Sequence, residues 1–221
     1  MCANGHDTTL LISGGAHPTL ARQLAGELAC PLAEADVTAF ADGETRVHVG
    51  GGLFGLSIGI VQPTSPPVNE HVMALALLAD AVRAAGAASI TAVVPYFGYA
   101  RQEVRSRAGD PRSAQVIGKL LGAVGIDRLV TIDLHAPALE SALPMPTTLL
   151  TAAELFAARV GEWNLDAPTV VSPDAGGLKR AQKFAALMKA PVAVVLKTRP
   201  TPDPASPREV MGDVRGRSCV L

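Results

Sequence analysis

The chain has 221 residues, 48% of them apolar, with 19 Lys+Arg against 20 Asp+Glu and a formal net charge of −1. That length holds one large or two small domains, and the balanced charge gives no global attraction to nucleic acid or to an anionic membrane. Aromatic residues make up only 4%, too few for the base-stacking platforms of single-stranded nucleic-acid binders, so any anion site must be local.

Cys2, Cys30 and Cys219 are scattered without paired spacing. They form neither a disulfide framework nor a zinc motif, and a reducing cytosol, hence a cytoplasmic protein, is the simpler expectation. Residues 1–9 are polar and lack the basic-then-apolar order of a signal peptide. No apolar run approaches the roughly 18 residues of a membrane-spanning helix. Neither a membrane nor a nucleic-acid partner is expected.

Residues 9–13 are a short apolar run ended by Gly14-Gly15, a first strand. Residues 17–28 carry Leu20, Leu24 and Leu28 at helical spacing, with Pro18 in the first turn, where its missing N–H costs nothing. Residues 40–44, Phe-Ala-Asp-Gly-Glu, form a polar turn, and residues 45–49 alternate as a half-exposed antiparallel strand does. A hairpin with an Asp-Gly turn is the plain reading. The same turn offers an aromatic face for a base and carboxylates that accept from an exocyclic amine. Residues 57–62 read as a buried strand. Residues 67–85 read as a long helix with Val68, Val72, Leu75, Leu78 and Val82 on its apolar face. His71 lies in that helix without a paired ligand and reads as structural.

Residues 90–94 form a buried strand that turns at Pro95 and Gly98 into a loop bearing Arg101, Arg105, Arg107 and Arg112 against Glu103 and Asp110. A guanidinium keeps its charge and meets phosphate oxygens in bidentate fashion, so the loop suits polyphosphate. A solvated basic loop has the same composition. A helix over 113–124 follows, with Pro111 and Ser113 as start signals and Gly125 as stop. The strand over 128–132 ends in Asp133-Leu134-His135. A carboxylate and an imidazole at the carboxyl end of a parallel strand stand where open α/β sheets place their sites. Asp133 and His135 are spaced to share a divalent ion, while a capping aspartate and a packed histidine are the structural alternative.

Pro144 and Pro146 mark a boundary that separates a domain over 1–147 from one over 148–221, and residues 149–160 read as helical. A strand over 169–171 runs into Ser172-Pro173-Asp174-Ala175-Gly176-Gly177 and a helix over 178–188, a glycine-opened helix N-terminus suited to an anion. A strand over 191–196 leads into Lys197-Thr198-Arg199-Pro200, and residues 210–214 and 218–221 read as two more strands. Strands alternate with helices, so the sheets should be largely parallel. Four strand ends then carry polar chemistry: Arg101/Gln102, Asp133/His135, Asp174 and Lys197/Arg199. Cations for phosphate beside oxygen and imidazole ligands for a hard metal suggest phosphoryl chemistry on a nucleotide with Mg2+. A Gly-x-x-x-x-Gly-Lys-Ser/Thr loop and a kinase signature are both absent from the sequence.

Six segments together resemble the ribose-phosphate pyrophosphokinases. They are Phe40-Ala41-Asp42-Gly43-Glu44, Pro66-Pro67-Val68-Asn69-Glu70-His71, Pro95-Tyr96-Phe97-Gly98-Tyr99-Ala100-Arg101-Gln102, Asp133-Leu134-His135-Ala136-Pro137, Val171-Ser172-Pro173-Asp174-Ala175-Gly176-Gly177 and Lys197-Thr198-Arg199-Pro200. They follow the family's order at close to its spacing. The resemblance implies an α/β fold of two tandem type I phosphoribosyltransferase-like domains, the second incomplete here. It implies transfer of the diphosphoryl group of ATP to the C1 hydroxyl of ribose 5-phosphate, giving PRPP and AMP with Mg2+ as cofactor. It also implies a homo-oligomer, a hexamer built of dimers. By the same resemblance Phe40, Asp42, Gly43 and Glu44 hold ATP's adenine from a neighbouring subunit, and Arg101 and Gln102 bind the nucleotide. His135 and Asp174 bind the metal, directly or through water. Lys197 stabilises charge on the transferring group, and Arg199 binds on the ribose 5-phosphate side.

The chain departs from the family pattern in several places, among them a short segment over 141–151 and a Pro-rich tract over 201–207. Glu103-Val104 follows the Arg-Gln pair, where members usually carry Asp. Pro144 stands where many have a metal-assisting aspartate. The chain stops at Cys219-Val220-Leu221, the strand after which the family has its ribose-5-phosphate loop, so the sequence is expected to be a C-terminally incomplete member. Two other readings compete. One is a non-catalytic regulatory homologue that keeps the fold. The other is a purine or pyrimidine phosphoribosyltransferase, which shares the fold but has no evident need of Arg101-Gln102 or the Asp42/Glu44 turn.

Overall fold

A strand covered on both faces must be apolar nearly throughout, and such strands are the mark of parallel sheets. The computed structural model describes residues 9–136, 138–197 and 208–221. It divides into two units, Met1–Leu150 and Thr151–Leu221.

In the first unit β1 (Thr9–Ser13), α1 (Pro18–Glu27), β2 (Leu32–Glu34), the pair β3 (Asp36–Ala39) and β4 (Thr45–His48), β5 (Ser57–Val61), α2 (Val68–Ala84), β6 (Ser89–Val94), α3 (Ser113–Ala123), β7 (Arg128–Ile132), the short α4 (Ala138–Ala142) and β8 (Thr147–Leu150) follow in order. The sheet runs β2-β1-β5-β6-β7-β8, parallel throughout. The register lines up Ala33, Ile12, Ile60, Ala92, Leu129 and Thr147 across all six strands. Ile12, Ile60, Ala92 and Leu129 share one core with Leu75, Leu78 and Val82 of α2. Leu11 joins a second cluster with Ala25 of α1 and Cys30. Right-handed crossovers account for the two clusters, because they put α1 on one face and α2 and α3 on the other. Gly59 pairs with Leu11, and a Cβ there would lie 2.5 Å from Leu11 Cδ2. Packing, more than turn chemistry, demands that glycine.

The second unit holds α5 (Ala153–Gly161), β9 (Thr169–Ser172), α6 (Leu178–Met188), β10 (Val192–Lys197), β11 (Arg208–Met211) and β12 (Cys219–Val220). Its sheet order is β11-β10-β9-β12, with β11 the antiparallel member. β9 is central and buried at every position. Its two polar residues are satisfied: Thr169 Oγ1 accepts from Arg217 Nε at 2.6 Å, and Ser172 Oγ donates to the Asp174 carbonyl at 2.7 Å.

The mostly parallel α/β architecture matches the expectation from the sequence, with local corrections. Residues 149 and 150, read as the start of a helix, end β8, because pairing with β7 commits them to the sheet. The first unit runs to Leu150. β2, three residues long, and α4, five, are too short to show a period. The strand expected over 210–214 is β11, Arg208–Met211. Cys219 is free and exposed. Among the described residues no helix is long and apolar enough to cross a membrane.

Candidate functional site

In the first unit β1 crosses over to β2 on one side and β5 to β6 on the other. Adjacent strands whose crossovers diverge leave a crevice at their carboxyl ends, the usual ligand position in open α/β sheets. Here Gln62 fills it. Gln62 is fully buried just past β5. Its Oε1 accepts the Ala16 N–H at 3.1 Å, and its Nε2 donates to the His71 carbonyl at 3.4 Å. A Cβ on Gly14 would sit 2.3 Å from that Oε1. The carboxyl ends of β6 and β7 carry the polar groups instead.

β6 ends at Val94, and the chain turns at once. Gly98 lies so close to the β5–α2 connection that a Cβ would meet Val68 Cγ1 at 2.7 Å and the Thr64 carbonyl at 2.8 Å. Thr64, 2% exposed, accepts the Gly98 N–H at 2.7 Å on its hydroxyl and donates that hydroxyl to the Tyr96 carbonyl at 3.0 Å. Tyr99 has φ +65°, a left-handed conformation that costs a bulky residue energy. Its hydroxyl is held by Asn69 of α2. From this turn Arg101 and Gln102 emerge exposed. Gln102 Oε1 accepts the Ser113 hydroxyl at 2.6 Å, at the start of α3. Glu103 Oε2 is buried without a hydrogen-bond partner among the described residues.

On the neighbouring strand Asp133 follows β7 with φ +45°, and its N–H donates to the Leu150 carbonyl at 3.0 Å. His135, two residues on, is exposed. The fold thus brings Arg101/Gln102 and Asp133/His135 to one edge of one sheet. His71 is structural, as its sequence context indicates: its Nδ1 lies 2.6 Å from the Ser65 carbonyl.

The β3–β4 hairpin is a separate two-stranded sheet. Val37 and Val47 seat it on the core of the first unit. Its tip closes through the Phe40 and Glu44 backbones at 2.8 Å and an Asp42 Oδ1 contact with the Glu44 N–H at 3.1 Å. Gly43 there has φ +91°, which glycine adopts without strain. Phe40, Asp42, Gly43 and Glu44 are all exposed, with Arg46 Cζ 6.0 Å from the Phe40 ring centroid.

In the second unit Asp174 follows β9. Its Oδ1 accepts the Gly177 N–H at 2.7 Å and so shapes the turn into α6. A Cβ on Gly177 would lie 2.9 Å from Ser172 Oγ. Lys197 ends β10. Its side chain, and all of Arg199, lie outside the described residues.

Three or more metal-ligating side chains do not gather anywhere among the described residues. Mg2+ is a hard ion that keeps several waters and binds through one or two carboxylates plus substrate phosphates. In the second unit Asp174 is exposed with one carboxylate oxygen committed to its turn, a donor of that kind; in the first unit exposed His135 is a softer donor better matched to a metal-bound water. A cavity of about 450 Å³ is lined by Lys119, Ile126, Asp127 and Pro144 among others. It lies at the amino ends of β7 and β8, away from these groups.

Sequence reasoning misses Thr64 and Asn69, because a lone Thr or Asn before and within a helix is unremarkable. The signal was Gly98, whose lack of a Cβ implied a close neighbour.

A family model described as the N-terminal domain of ribose phosphate pyrophosphokinase matches residues 9–125. The chain is 39% identical over 214 residues to a ribose-phosphate pyrophosphokinase of Clostridium perfringens, covering 96% of this chain and 67% of that one. It is 38% identical over 203 residues to one of Listeria ivanovii, covering 91% and 64%. The crystal structure of phosphoribosylpyrophosphate synthetase from Mycobacterium smegmatis superposes with a TM-score of 0.88 at 33% identity, covering 96% of this chain and 70% of that one. The chain spans about two thirds of the length of these relatives.

Proposed function

The chain belongs to the ribose-phosphate pyrophosphokinase family, and on that premise we propose that it carries the nucleotide and metal half of an enzyme that makes PRPP and AMP from ATP and ribose 5-phosphate. The observation that carries the reading is that the exposed Arg101–Gln102 loop and the exposed Asp133 and His135 follow the carboxyl ends of adjacent parallel strands, β6 and β7. Cationic, amide and metal-compatible groups there suit a nucleotide's phosphates better than a purely structural loop requires.

In the proposed transfer the C1 hydroxyl oxygen of ribose 5-phosphate attacks the β-phosphorus of ATP. The bond from that phosphorus to the bridging oxygen breaks, AMP leaves with the bridging oxygen, and the hydroxyl proton passes to water. Such a reaction needs positioning and charge neutralisation more than covalent help. Arg101 and Gln102 bind the nucleotide, with the exposed Phe40, Asp42, Gly43 and Glu44 tip of a second subunit receiving the adenine. Lys197 stabilises the charge that develops on the transferring group, and Arg199 binds on the ribose 5-phosphate side. Asp174, and His135 through water, would hold Mg2+, which when bound neutralises phosphate charge.

Incubating the complete gene product with ATP, Mg2+ and ribose 5-phosphate should release AMP. A folded, oligomeric protein that releases none refutes the reading and favours a non-catalytic homologue. The shared adenine site makes specific activity fall on dilution to monomers.

A further inference from the structure

We propose that Thr64 is a positioning residue for nucleotide binding: its hydroxyl clamps the turn after β6 in the conformation that presents Arg101 and Gln102. The proposal rests on the reading of those two residues as nucleotide contacts.

The turn has to reverse a strand end within a few residues and deliver two long polar side chains to one place. Left alone, such a segment samples many conformations, and ordering it on binding would cost affinity. Three features of the fold remove that freedom beforehand. Thr64 is 2% exposed, so its hydroxyl has no water to turn to and remains committed to the turn. It works in both directions, accepting the Gly98 N–H at 2.7 Å and donating to the Tyr96 carbonyl at 3.0 Å. The Thr64 N–H adds a third tie to the same carbonyl at 2.9 Å. Gly98 packs on the Thr64 and Val68 atoms without room for a Cβ. Beyond it Tyr99 is held at φ +65° with its hydroxyl bound to Asn69. The Gln102 N–H then donates back to the Tyr99 carbonyl at 2.8 Å, so the clamp is linked by hydrogen bonds to the residue it presents. Strain of this kind persists only where the surroundings enforce it. A hydroxyl serves where valine, of the same shape, cannot: valine would leave a buried N–H unpaired and push the turn away.

The test uses the complete protein as wild type, Thr64→Val and Thr64→Ser, with KM measured separately for ATP and for ribose 5-phosphate. Thr64→Val should raise KM for ATP about tenfold, with KM for ribose 5-phosphate within about twofold, and Thr64→Ser should restore the wild-type value. Gly98→Ala, which keeps the hydroxyl but forces the turn outward, should show the same ATP-specific loss. A KM for ATP unchanged in both Thr64→Val and Gly98→Ala, or both KM values rising together, overturns the proposal. Limited trypsin digestion separates this outcome from failure of the functional reading. If the wild type makes no AMP, that reading fails by itself. The clamp then stands if Thr64→Val speeds cleavage after Arg101, and falls if the cleavage rate is unchanged.

Discussion

Removing the Asp127 carboxylate tests whether one acceptor holds the amino edge of the first sheet. Asp127 Oδ2 takes the Ile90 N–H at 2.7 Å and pairs with Arg83. Arg83 also donates to the carbonyls of Ala87 at 3.0 Å and Gly125 at 2.7 Å, so the pair ties the end of α2 to the starts of β6 and β7. Ile90 is fully buried, and in Asp127→Ala its N–H loses its acceptor at a cost of about 1–3 kcal/mol. The ion pair is 35% and 46% exposed on its two sides, so its own share is only about 0.5 kcal/mol. Asp127→Ala should therefore lose about 2–3 kcal/mol at neutral pH. Asp127→Asn keeps an oxygen for Ile90 and should lose about 0.5–1 kcal/mol. Urea unfolding of the complete protein, followed by circular dichroism at low salt and at about 1 M salt, reads both. Salt should shrink the small asparagine loss and leave most of the alanine loss in place. Equal losses for the two variants, or an alanine loss that vanishes in salt, would refute the assignment of the main cost to the Ile90 N–H.

Thr131→Val should stabilise the protein by about 1–2 kcal/mol, because Thr131 is fully buried and its hydroxyl has no partner among the described residues; thermal unfolding reads the gain. Gly59→Ala should destabilise by about 1–3 kcal/mol through overpacking, since the new Cβ would meet Leu11 Cδ2 at 2.5 Å. Adding Leu11→Ala should recover part of that loss, as coupled contacts do. Lys197→Ala should lower kcat by about 100-fold or more while ATP affinity stays within a few fold. Steady-state kinetics with ATP-binding calorimetry separates the two, and a loss of affinity alone would rule out a transition-state role.

Much of the fold is legible along the chain because its signals are local. The α2 apolar face repeats at helical spacing, β5 and β6 are mostly apolar runs, and the Asp42-Gly43 turn closes a hairpin whose β4 alternates. Each depends on residues a few positions apart. The strand ends were legible too, since β6, β7 and β9 stop at Val94, Ile132 and Ser172, at or within one residue of where the sequence places them. β8 was not. Thr147–Leu150 is a strand because β7 is there to pair with it, and strand preference depends on neighbours more than on intrinsic propensity. The placement of β11 likewise comes from its partner: Gly212 lies 2.8 Å, at the position of an added Cβ, from Ala193, and that close approach ends the usable strand.

The sequence by itself determined the order of the longer elements, the mostly parallel α/β class and the residue types at the strand ends. It could do so because periodicity, turn chemistry and charge are short-range properties. Only the tertiary structure decided that Gln62 fills the crevice between β1 and β5, that Gly59 makes room for Leu11, and that Thr64 holds the turn behind Arg101. Those are contacts between segments more than 30 residues apart in all three cases. A side chain's role there is set by what the fold brings against it, which no local pattern encodes.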